Sequence, residues 1–117
     1  YQRSLNELNK IGHEIYFFSN DNTISEYWYR RARIFQKLEK SNNEIISLFK
    51  KSLVGKSNFS THFQPMSALQ IALIYELEND YANSKVFFEK CLKYKSYDYE
   101  KSIRKQAKEG LKRIANI

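Results

Sequence analysis

The residues able to do chemistry are few in this chain, and their spacing does not suit it. Gly55-Lys56-Ser57 copies the end of a phosphate-binding loop. That loop wraps backbone N–H groups around phosphate and needs another glycine five positions earlier, where Lys50 stands. With three glycines in 117 residues, no phosphate cradle is expected. His13-Glu14 opens like a zinc-protease helix, whose fifth position must be a second histidine; here it is Phe17. His62 has no acidic or cysteine neighbour at ligand spacing, and Cys91 has no second cysteine to complete a zinc site or a disulfide. Cys91 beside Leu92 reads as a small buried hydrophobe. The carboxylates are scattered on helix faces expected to be exposed, and no nucleophile stands at a fixed spacing from a base. Asn58-Phe59-Ser60 fits a glycosylation acceptor, which matters only in a eukaryotic secretory setting. The expectation is a chain without catalytic, cofactor-binding or metal-binding residues, and not an enzyme.

What such a chain presents instead is a surface, and the elements that shape it are helices. Hydrophobic residues make up 42% and proline occurs once, which disfavours turn-rich β architecture and favours long helices joined by short polar loops. Apolar periodicity predicts a first helix over 4–18, with Leu5, Leu8 and Ile11 on one stripe and Ser4 and Glu7 as a capping box. A polar break is expected at 19–23. A second helix starting near Ser25 carries Trp28, Ala32, Phe35 and Leu38, and a third carries Ile45, Phe49 and Leu53 until Gly55 stops it. Residues 56–64 form the longest connection, with Pro65 in the first turn of a fourth helix bearing Ala68, Ile71, Ala72 and Tyr75. The fifth, Tyr81 to about Tyr94, turns Ser84, Phe87, Phe88 and Cys91 inward; the sixth, from about Tyr99, turns Ile103, Ala107, Leu111 and Ile114 inward.

The helical pairs are self-similar. Ala72 stands three positions before Tyr75 and twelve before Ser84, with Phe88 and Cys91 four and seven further on. The preceding pair echoes this as Ala32, Phe35, Ile45, Phe49 and Ser52, with one extra residue in the turn. A small residue facing a bulky one lets two antiparallel helices approach closely. This pattern resembles the tetratricopeptide repeat over residues 25–94, despite Ile45 where a smaller residue is usual and Arg31 where leucine is. The resemblance implies an all-α, short right-handed solenoid of stacked antiparallel hairpins. Its expected parts are one domain over 1–117, with an N-terminal helix at 4–18, repeats at 25–54 and 65–94, and a capping helix at 99–115. The chain opens on Tyr1 and reads as a fragment, and the resemblance implies the C-terminal part of a larger bacterial repeat protein. No run approaches the roughly 18 apolar residues of a membrane span, and the compartment is left open.

The resemblance further implies a protein-interaction scaffold whose first helices line a concave groove. In this register the groove positions are Glu26, Tyr29, Arg33 and Gln36, then Met66, Leu69, Leu73, and Glu76 or Leu77. Some repeat domains clamp a peptide's terminal carboxylate through Lys and Asn at these places. The residues here are Tyr29, Arg33, Leu69 and Leu73, so an apolar strip for a peptide or partner helix is expected instead.

Charge supplies a rival. The chain carries +7, and residues 85–117 hold ten Lys or Arg against four Asp or Glu. Lys101, Arg104, Lys105, Lys108, Lys112 and Arg113 form a basic patch behind Tyr94, Tyr97 and Tyr99, a pattern that could take nucleic acid or form the solvated back of a cap. The cluster Tyr16-Phe17-Phe18 suggests a third alternative, self-association as a homodimer.

Overall fold

The computed structural model describes residues 21–54 and 61–117, all helix and connection, with no strand among them. The helices are α1 (Asp21–Lys37), α2 (Asn42–Ser52), α3 (Phe63–Leu77), α4 (Tyr81–Lys93) and α5 (Glu100–Ala115). The helix expected at 4–18 and the stop at Gly55 lie outside the described residues. Two compact units divide the chain, one within residues 1–58 and one within 59–117.

In the first unit α1 and α2 form an antiparallel hairpin. Among the described residues α1 already includes Asp21, Asn22 and Thr23, residues expected to belong to the polar break. Asp, Asn and Thr in succession are residue types that favour a first helical turn as readily as a loop. α1 ends on Glu39 in the left-handed region, with the Lys40 N–H donating to the Phe35 carbonyl. This closes the last turn, and Ser41 Oγ then accepts from the Glu44 N–H to start α2. Ala32, Phe49 and Ser52 are fully buried between the two helices, with Tyr27, Ile45, Ile46 and Leu48 around them. The Ser52 hydroxyl donates to the Ser25 carbonyl at 2.9 Å, tying the end of α2 to the start of α1.

The second unit repeats the device and adds a helix. α3 ends on left-handed Asn79, with the Asp80 N–H donating to the Tyr75 carbonyl. Asp80 Oδ1 accepts from the Asn83 N–H to cap α4. Ala72, Ser84, Phe88 and Cys91 are fully buried, matching the places of Ala32, Ile45, Phe49 and Ser52 in the first unit. Ser84 Oγ donates to the Ala72 carbonyl at 2.8 Å.

α5 packs against α4 and α3 with Ile103, Ala107 and Gly110 inward. Its entry is held by Arg104, whose guanidinium donates to the Leu92 and Tyr94 carbonyls at the end of α4, at 2.7 and 3.2 Å. Tyr99, in the left-handed region, stands edge-on to His62, which also packs on Phe63.

Candidate functional site

Within the second unit, α3 and α5 run side by side, and their C-terminal ends enclose an open cleft. It has a volume of about 560 Å³ and is lined by Leu73, Glu76, Leu77, Asn79, Tyr81, Arg113 and Ile117. At its floor Arg113 Nε donates to Glu76 Oε2 and Nη2 donates to Oε1, both at 2.8 Å. Two parallel N–H···O bonds fix the guanidinium in plane with the carboxylate. The guanidinium holds the Glu76 carboxyl below its ordinary range, and the carboxylate in turn raises Arg113. Around this pair stand apolar side chains, Leu73 half-buried, Leu77 82% exposed and Ile117 73% exposed. Exposed isolated leucines are ordinary, but here they flank one ion pair in one depression.

The residues expected to form a groove on α3 take different places. Leu73 and Glu76 come together in the cleft, and Leu77 joins them. Met66 is half-buried, its sulfur accepting from Gln70 Nε2 at 3.8 Å. Leu69 is completely buried, so its assignment to an open strip is corrected. α3 carries apolar residues on nearly every side, and Leu69 falls on the side that packs inward.

In the first unit Arg33 Nη1 donates to Gln36 Oε1 at 3.1 Å, one turn apart on α1. Tyr29 is half-buried, tilted against the Phe49 ring, and its hydroxyl is pushed up by burial against the opposing pull of Arg33 and Arg30. Glu26 pairs with Arg30 at 2.7 Å.

The basic patch separates into two kinds of residue. Arg104 and Arg113 turn toward α4 and α3, where each makes the bonds described above. Lys101, Lys105, Lys108 and Lys112 remain exposed. At spacings of four, three and four they form one stripe along α5, opposite buried Ile103 and Ala107. Of the nearby tyrosines, Tyr97 is buried, Tyr94 half-buried and Tyr99 exposed. Among the described residues no group of His, Cys, Asp and Glu could hold a metal ion, and no helix is long and apolar enough to cross a membrane.

Residues 67–98, from the first turns of α3 through α4 and into the link to α5, match the family model of the tetratricopeptide repeat. The chain is tetratricopeptide-repeat-like. No curated protein and no solved structure matches it. A tetratricopeptide repeat supports a protein–protein interaction module, and such repeats are typically non-catalytic scaffolds. The repeat-like reading also makes sense of α5. Aligned on the buried alanines Ala72 and Ala107, Ile71 and Ile74 of α3 correspond to Gln106 and Glu109 of α5. α5 therefore keeps the face that packs on α4 and α3 and carries polar residues at the places of Ile71 and Ile74. Sequence reasoning placed Arg113 only in the basic patch. Its link to Glu76 spans 37 positions and leaves no local signal.

Proposed function

We propose that the chain is a non-enzymatic scaffold that seats a peptide or helix of a partner protein in the groove between α3 and α5. The observation that carries this reading is the open cleft at Leu73, Leu77 and Ile117, an apolar depression with a charged floor. Interfaces draw most of their energy from a few apolar and Arg anchors surrounded by neutral contacts, and this cleft offers that combination. Tyr29, Arg33 and Gln36 on α1 are a separate candidate contact surface of the first unit. The lysine stripe of α5 favours a second reading, in which an anionic partner such as nucleic acid is held by charge alone.

A pull-down from source lysate, with and without nuclease, separates the two. Protein recovered after nuclease and at moderate salt, and lost with Leu73→Asp, supports the groove. Recovery of mainly nucleic acid, lost at high salt and with Lys105→Glu and Lys108→Glu together, rejects it in favour of the stripe.

A further inference from the structure

We infer that the α3–α5 cleft selects a partner segment in which an acidic side chain lies within about one turn of a bulky aliphatic one, with Arg113 as the residue that reads the acid. This rests on the groove reading above and names the chemistry of its occupant.

A guanidinium has five N–H donors in a rigid fork. Glu76 takes two of them, one on Nε and one on Nη2. The donors of Nη1 and the second donor of Nη2 form the remaining edge, and among the described residues they carry no further hydrogen bond. Arg113 is 48% exposed while Glu76 is 19% exposed. The carboxylate thus lies behind the guanidinium and holds it, and the open edge belongs to the cation. An arginine fixed in this way loses less side-chain freedom when it binds a second carboxylate, and a charge-assisted pair gains from that fixed geometry.

The surroundings add two further constraints. Leu73, Leu77 and Ile117 stand beside the ion pair, so an aliphatic side chain inserted among them brings its neighbours within reach of Arg113. The second unit also has a net positive charge: residues 59–117 carry ten Lys or Arg against seven Asp or Glu, with Glu109 the further acidic neighbour of Arg113. Such a charge attracts acidic segments and disfavours basic ones. A neutral apolar helix would fill the rim and leave the open Arg113 edge unused.

The test is selection from a random dodecapeptide display library on the full chain. Enriched peptides are expected to carry Asp or Glu within four residues of Leu, Ile or Phe. With Arg113→Gln the acidic enrichment should vanish while the aliphatic one persists, and the best peptide should lose on the order of tenfold in affinity, as for one charge-assisted contact. Glu76→Gln should weaken binding less than Arg113→Gln, because it loosens the hold on the guanidinium but keeps the cation and one accepting oxygen; a merely structural ion pair would make the two variants equally damaging. Leu77→Ser, at a highly exposed position that folding does not need, should remove the aliphatic preference. Aliphatic peptides without acids, lost with Leu73→Asp, would overturn acid reading at Arg113 and leave the groove intact. Acidic peptides indifferent to Arg113→Gln but lost with Lys105→Glu and Lys108→Glu would overturn it in favour of the stripe. Absence of any enriched peptide would also overturn it.

Discussion

Gly110 lies against the ring of Phe88 so closely that a Cβ at this position would stand under 3.0 Å from three ring carbons. Phe88 is fully buried at the centre of the second unit, so its ring has no open space into which to retreat. The glycine sits in mid-helix, where it weakens α5 by about 1 kcal/mol relative to alanine. Close packing of α5 on α4 is what that cost permits.

Gly110→Ala should therefore destabilise the protein despite its better helix propensity. Overpacking typically costs about 1–3 kcal/mol, and three simultaneous contacts place this site toward the upper end. The propensity gain offsets part of it, leaving a net loss of about 1–2 kcal/mol in urea denaturation. Adding Phe88→Leu should recover part of the loss, since the two positions share one contact. A higher midpoint for Gly110→Ala alone would show that the ring can shift.

The buried serines are a second point of control. Ser84 and Ser52 are each fully buried and donate to a carbonyl of the facing helix, Ala72 and Ser25 respectively. Replacing either with alanine keeps the close approach and removes one hydrogen bond, for a loss of about 1 kcal/mol. Replacing Ser84 with valine adds volume between α3 and α4 and should cost more. An unchanged midpoint for Ser84→Ala would mean that the bond contributes nothing net.

The pattern of small residues was the legible part of this fold. Ala32 and Ala72, with Phe49 and Phe88 after them, stand at repeat spacing in the sequence and occupy the same buried places. Helix starts were less legible, because Asp21, Asn22 and Thr23 suit a loop and a first turn equally. Leu69 was misplaced because α3 is apolar almost all round, so periodicity could not tell its inner side from its groove side. Gly110 and the Arg113–Glu76 pair carry no local signal. Both depend on which helices meet, and that is a tertiary fact.

Titration at high pH offers a third test. Burial pushes the Cys91 thiol from its ordinary 9.0 up to about 12, with Arg104 pulling weakly the other way. Burial also pushes the Tyr97 phenol from 10.0 up to about 12, and among the described residues its hydroxyl has no hydrogen-bond partner. Both groups are neutral in the folded state and ionise more easily when unfolded. Their contribution to stability is thus fully present below the ordinary values and is lost as pH rises through about 12. Melting temperature should fall across that alkaline range. Cys91→Ala and Tyr97→Phe should flatten the fall, and a native Cys91 should not react with a thiol reagent at neutral pH until the protein is denatured. Rapid native labelling would contradict the burial of Cys91.

The two leucines of α3 separate core from surface most directly. Leu69 is completely buried and Leu73 is half-buried at the edge of the cleft, although they stand one turn apart on the same helix. Leu69→Ala removes a packed side chain and should cost about 2–5 kcal/mol, enough to unfold a domain of ordinary marginal stability. Leu73→Ser takes away an anchor that water already reaches, so the melting temperature should fall by much less while affinity for a groove-bound peptide drops. The two variants therefore give opposite readouts: lost signal in thermal denaturation for Leu69, lost binding with a retained transition for Leu73. If Leu73→Ser unfolds the protein as completely as Leu69→Ala does, the strip is core and partner binding must be sought elsewhere on the surface.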